Sequence, residues 1–160
     1  MQMSEGVEWA LHSCLNLAWA EQQAVPARKL AAFYDLPPAY LNRQLQALAR
    51  AGIVTSTSGP RGGFRLARSP EQITLLDVVV AIEGEQDAFR CQQIMRDGPG
   101  GRSDVDYRKH CLVSQAMRRA ELAWRRELAA QTLADIKDSV ESRHPDAPRV
   151  ARNQLDAPAR

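Results

Sequence analysis

Two thiols stand at the ends of one irregular stretch of this sequence. Cys91 and Cys111 have 19 residues between them, and the segment they bracket contains Gly98-Pro99-Gly100-Gly101. Thiols at the edges of a flexible loop suit ligation of a soft metal or reversible oxidation, and they also suit a stray pair with no role. Glu8 and His12 lie four apart in a helical segment and are therefore neighbours on one face. Such a pair is an ordinary surface feature, although side chains so spaced can also converge on one metal ion. Cys14 falls on an apolar helical stripe and reads as a small buried hydrophobe. His110 beside Cys111 invites a nucleophile reading, but no oxyanion hole, phosphate loop or third orienting residue accompanies it, so no enzyme is expected.

A second chemistry lies in the charge. The whole chain carries a net +2, which points nowhere. Between residues 25 and 70, however, Arg28, Lys29, Arg43, Arg50, Arg61, Arg65 and Arg68 face the single acid Asp35, a net of +6. The remainder holds 14 bases and 18 acids, a net of −4. A basic module on an acidic body is the footprint of a protein that binds a polyanion with one face.

The elements that must position these groups follow from period and punctuation. The spacing predicts a first helix over 5–20 with Ser4 as its N-cap and Val7, Leu11, Cys14 and Ala18 as its buried stripe. A second helix begins at Pro26, carries Leu30, Ala31 and Phe33 inward, and stops near Tyr34. Asp35-Leu36-Pro37-Pro38 is a sharp connector, and Pro38 opens a third helix with Leu41, Leu45 and Leu48 buried and Gly52 ending it. Helix, short connector, helix is the spacing of a helix-turn-helix. Ile53–Thr57 and Phe64–Arg68, joined by a glycine-rich turn, make a hairpin that reads as a wing. Thr74 and Asp77 resemble a capping box opening a helix through Ile82. Glu85 to His110 is a long loop with a turn of helix after Cys91, and 112–140 is strongly helical, with a break at Thr132 and Asp135. Val113, Ala116, Met117, Ala120, Trp124 and Leu128 trace an apolar stripe on it, which calls for a second copy of the chain.

The fold class is therefore mainly α. A winged helix-turn-helix DNA-binding domain (1–84) is followed by a ligand-bearing loop (85–111), a long dimerisation helix (112–140) and a tail (141–160) whose three prolines predict disorder. At 160 residues there is room for one ordinary domain or a small one with an appendage. No apolar run approaches the roughly 20 residues of a membrane span. The first residues lack a secretory pattern, and three cysteines fit a reducing cytoplasm.

Four ordered blocks resemble the Rrf2 family of winged-helix transcriptional regulators: Gly6-Val7-Glu8-Trp9-Ala10-Leu11; Tyr40-Leu41 leading to Leu48–Val54; Gly59–Arg68; and Ile73–Gly84. That family includes iron–sulfur-dependent and nitric-oxide-sensing members. Cluster-binding members carry three closely spaced cysteines after the Glu-Gly block, whereas here only Cys91 and Cys111 follow it. Two thiolates cannot complete the ligands of a 2Fe–2S cluster. Glu8–His12, Phe89-x-Cys91, the Gly98-Pro99 loop and Cys111 with Ala116-Met117 and Ala120-Glu121 resemble the RsrR-type redox-sensing subgroup. The resemblance implies a 2Fe–2S cluster held by Cys91 and Cys111 of one subunit and by Glu8 and His12 of the other, with His110 as the rival ligand. Zinc on the same residues, or a Cys91/Cys111 thiol switch, would keep the fold and change the chemistry.

For DNA, the third helix presents Tyr40, Asn42, Arg43 and Gln46 away from its leucines. Arg43 and Asn42 suit base edges and Tyr40 a phosphate. Arg61 at the wing tip suits the minor groove or backbone, and Arg28 and Lys29 suit phosphates. Two such modules in a homodimeric repressor imply a palindromic operator with half-sites about one helical turn (~34 Å) apart.

Overall fold

Apolar residues three and four apart build the helices of the computed structural model, which describes residues 3–157. Helix α1 spans Glu5–Trp19, α2 Ala27–Phe33 and α3 Pro38–Arg50. Leu41, Leu45 and Leu48 of α3 are fully buried, as the leucine spacing predicts. Pro38 occupies the first turn of α3, where its missing N–H removes no bond. Gly52, at φ +68, reverses the chain into strand β1, Val54–Thr57.

Strand β2, Gly63–Leu66, pairs antiparallel with β1, setting Val54 opposite Leu66 and Thr57 opposite Gly63. Val25 adds a bridge on the far side of β2, exchanging both backbone hydrogen bonds with Phe64 at 2.8 Å. The wing is thus fastened to the residues leading into α2. A side chain at position 63 would overlap the Val25 backbone, so this close approach requires glycine.

Helix α4 spans Leu75–Glu83, α5 Tyr107–His110, α6 Leu112–Ala130, α7 Leu133–Arg143 and α8 Ala147–Asp156. Thr74 and Thr132 each form a reciprocal capping box, with Asp77 and Asp135 respectively. The two caps lie side by side. The Leu75 N–H donates to the Gln131 carbonyl at 3.0 Å, and the Leu133 N–H donates to the Ile73 carbonyl at 2.8 Å. The core closes on Ala10, Cys14 and Leu17 of α1, with Leu30, the α3 leucines, Ile53, Phe64, Ile73, Val78 and Leu133 around them.

Two expectations need correction. The buried face of α1 is broader than the stripe Val7, Leu11, Cys14, Ala18: Leu11 and Ala18 are half-buried, while Ala10, Leu15 and Leu17 are buried. The cause is that α1 packs against α3, α4 and β2 and also against α7 and α8. Nor is 141–157 a disordered tail. Helix α7 continues to Arg143, and α8 buries Ala151 and Leu155. Pro148 lies in the first turn of α8, where proline is favourable, and the remaining expected tail residues, 158–160, lie outside the described residues. Between Glu85 and His110 the chain is largely irregular, with a short 3₁₀ turn at Ile94–Arg96 and the single turn of α5. Among the described residues no helix is long and apolar enough to cross a membrane.

Candidate nucleic-acid interface and ligand loop

With its leucines turned inward, α3 leaves Tyr40, Asn42, Arg43 and Gln46 exposed on the other side. Tyr40 is 61% exposed and meets the Trp9 ring edge-on at 6.5 Å. Arg28 on α2, Arg43 and Arg50 on α3 and Arg61 in the wing turn are exposed and enter no ion pair among the described residues. Two other arginines of the basic stretch are engaged, Arg65 within the wing and Arg68 at its base, where it also pairs with Asp77 at 3.6 Å. Arg65 Nε donates to Thr55 Oγ1 at 3.3 Å, and Arg68 donates to the carbonyls of Gly52 and Gln72 at 3.3 and 3.1 Å. Lys29 behaves differently from its neighbour Arg28. Its Nζ donates to the Leu155 carbonyl at the end of α8, 2.6 Å away.

Glu8 and His12 are both exposed on α1, and no hydrogen bond or ion pair among the described residues uses the Glu8 carboxylate. The His12 ring leans on Tyr34, the residue that caps the C-terminus of α2, with ring centroids 5.4 Å apart. The Tyr34 hydroxyl accepts from Asn16 Nδ2 at 3.0 Å, and burial pushes its pKa up to about 12. The face of α1 that carries His12 therefore touches the first helix of the helix-turn-helix. Tyr34 had no sequence signal, because the contact joins residues 22 apart on different helices.

Cys91 and Cys111 are free and half-buried. Cys91 lines a cleft of about 370 Å³ with Phe89, Arg90, Arg108, Ser114 and Arg118. Cys111 is the N-cap of α6, its N–H donating to Tyr107 and its carbonyl accepting from Gln115, at 2.9 and 3.0 Å. The buried Ser114 hydroxyl donates to the Arg108 carbonyl at 3.2 Å, and Arg118 donates to the same oxygen. These bonds fix the turn that ends in Cys111, and they leave His110 exposed. At the other end of the loop, Arg125 pairs with Glu121 at 2.9 Å and reaches the Glu85 carbonyl at 3.1 Å. Cys14 is wholly buried, and that burial pushes its thiol up to about 12.

Among the described residues, no three His, Cys, Asp or Glu side chains gather to hold a metal ion within one chain. The structure therefore does not bring the four candidate ligands together as a single intrachain set. The N-terminal part of the apolar stripe of α6 also lacks cover: Val113 and Met117 are 64% and 41% exposed, while Trp124 and Leu128 further along are half-buried.

Known proteins resemble this chain in sequence and in fold. The chain is 30% identical over 142 residues to the HTH-type transcriptional regulator YffB of Lactococcus lactis, covering 88% of this chain and 90% of that protein. The fold resembles T. potens IscR, with a TM-score of 0.67, 20% identity, and coverage of 90% of this chain and 91% of that one. It also resembles the oxidized form of Staphylococcus aureus CymR, with a TM-score of 0.63, 24% identity, and coverage of 86% and 96%. These two structural likenesses establish the fold. The pattern of the Rrf2 family, described as "Iron-dependent Transcriptional regulator", matches residues 3–139. With that match spanning both the winged helix and the loop, the chain belongs to the Rrf2 family of transcriptional regulators.

Proposed function

We propose that the chain is a cytoplasmic, homodimeric DNA-binding repressor whose affinity for a palindromic operator follows redox state. In this reading a 2Fe–2S cluster is held by Cys91 and Cys111 of one subunit and by Glu8 and His12 of the other. The observation that carries it is the donor set. Two free, half-buried thiols end an irregular loop, and an exposed carboxylate–imidazole pair sits one turn apart on α1. The donor types fit: thiolates on one iron, harder oxygen and nitrogen ligands on the other. Since no three of these groups meet within one chain, a four-ligand centre needs both subunits. The bare apolar face of α6 supports a second copy of the chain as the partner.

When bound, the cluster supplies a one-electron change of charge. The chain supplies the lever. Helix α1 packs directly on α3, and His12 leans on Tyr34 at the end of α2, so a displacement of α1 is carried to both helices of the helix-turn-helix. On the DNA side, Asn42, Arg43 and Gln46 face base edges, Tyr40 and Arg28 the phosphates, and Arg61 the minor groove or backbone.

The test is anaerobic purification with iron and sulfide analysis, and visible spectra before and after dithionite. About two irons and two sulfides per chain, with absorption bleached by dithionite, is the expected result. Cys91→Ser should remove both iron and colour. A colourless protein containing zinc, or one without metal that reversibly joins Cys91 to Cys111, would replace the cluster with the corresponding rival chemistry.

A further inference from the structure

Helix α8 lies beyond residue 139, where the match to the family pattern ends, yet it packs on the DNA-binding half. Ala151 and Leu155 are 1% and 5% exposed, buried against the core that α1 and α2 share. Arg152 adds a tie to Glu21 at 3.1 Å. The most specific contact is the one made by Lys29, whose Nζ donates to the Leu155 carbonyl across 126 residues of sequence.

That carbonyl belongs to the last turn of α8, where the final four C=O groups lack helical partners and the helix end carries partial negative charge. A lysine ammonium is a suitable cap for such an end. Lys29 also sits in the first turn of α2, the helix that crosses the DNA backbone in a helix-turn-helix. Its neighbour Arg28 is exposed and enters no ion pair among the described residues, while Lys29 is half-buried and held. The two cations are adjacent in sequence and differ in availability because α8 has taken one of them.

We propose that α8 is an affinity-setting element, which withholds Lys29 from the phosphate backbone. A lysine–phosphate contact tightens binding to every DNA sequence alike, since phosphates carry no base information. Removing one such contact per subunit lowers the affinity for operator and random DNA by the same factor while leaving base readout by α3 intact. The ratio of operator binding to background binding stays the same, and what α8 sets is the overall strength and the salt dependence of DNA binding. This proposal rests on the DNA-binding fold and on no cofactor.

Salt dependence reads the number of phosphate contacts directly, and it needs no knowledge of the operator. The full-length protein is titrated onto a labelled duplex of arbitrary sequence, about 30 base pairs long, and the logarithm of affinity is plotted against the logarithm of sodium chloride concentration. Lys29→Met should leave the slope of the native protein unchanged. Leu155→Asn, which loosens α8 without adding charge, should steepen it by about 0.9 per bound subunit. The double variant Lys29→Met/Leu155→Asn should return to the native slope, which separates release of Lys29 from any general loosening. A flatter slope for Lys29→Met alone would show that Lys29 already contacts DNA, and the proposal would fall. An unchanged slope for a folded Leu155→Asn would sink it equally. Should Leu155→Asn fail to fold, the milder Leu155→Ala takes its place beside Lys29→Met, with the same slopes expected and the same slopes fatal.

Discussion

Each of the three cysteines is defined by its surroundings rather than by its type. Cys14 is sealed between helices, while Cys91 and Cys111 sit half-open at the two ends of the loop. In native protein stripped of metal, a small alkylating reagent near pH 8 should therefore modify two thiols, and denaturant should expose the third, as mass spectrometry would count. Burial also gives Cys14 a pH signature. Its thiol ionises near 9 when exposed but only near 12 in the fold, so the folded state holds the proton longer. Stability from this site is complete below pH 9 and is lost as pH rises toward 12. Tyr34, raised from 10 to about 12, adds loss in the upper part of the same window. Cys14→Ala should flatten the lower part of that alkaline decline in denaturant titrations. Cys14 was legible from sequence because a helical stripe is a local pattern. Lys29 was not, because its partner is a backbone carbonyl 126 residues away, and no side-chain type announces such an acceptor.

At the scale of elements, the paired capping boxes decide where helices begin. Thr132 and Asp135 end the long helical stretch and restart it as α7, and the Thr132 N–H and hydroxyl hold the Asp135 carboxyl below its usual range. Thr132→Ala should cost about 1 kcal/mol of stability, the usual value of an N-cap, measured by chemical denaturation. Local chemistry of this kind is what sequence displays best. The α3 leucines, the Pro37-Pro38 connector, the glycine-rich wing turn and both caps all follow from neighbouring residues. Helix α8 was missed for a physical reason. Its buried residues are the small Ala151 and the single large Leu155, with Ala147 half-buried beside them, a weak stripe, and Pro148 looks like a breaker until its first-turn position is known. The width of α1's buried face was hidden likewise, since α8 covers part of it.

The whole molecule divides into a basic winged helix and a body whose longest helix leaves the first half of its apolar stripe uncovered. Whether the ligand residues act across two subunits is a question at this scale alone. Co-expressed, separately tagged chains carrying His12→Ala and Cys111→Ser give a decisive heterodimer. With ligands shared between subunits, one of its two sites keeps all four ligands and the other loses two, so the heterodimer should hold about half the native iron. The parent homodimers should hold almost none. If each site were built within one chain, every site of the heterodimer would be damaged and iron would be absent. For the proposed site the residue types are legible in the sequence, whereas its assembly would depend on a surface that a single chain leaves open.

The bridge between the two caps has a topological meaning as well. By joining Ile73-Thr74 to Gln131-Thr132, it ties off everything between them, the ligand loop included, into a closed circuit. The irregular loop can therefore fluctuate without moving the points where its circuit is anchored, and the entropy of closing it was lost once, on folding. A protease that cuts the loop once would open the circuit at its least regular point and leave both pieces docked through the bridge and the buried Leu133. The least ordered stretch of backbone is thus also the part whose severing the architecture tolerates best.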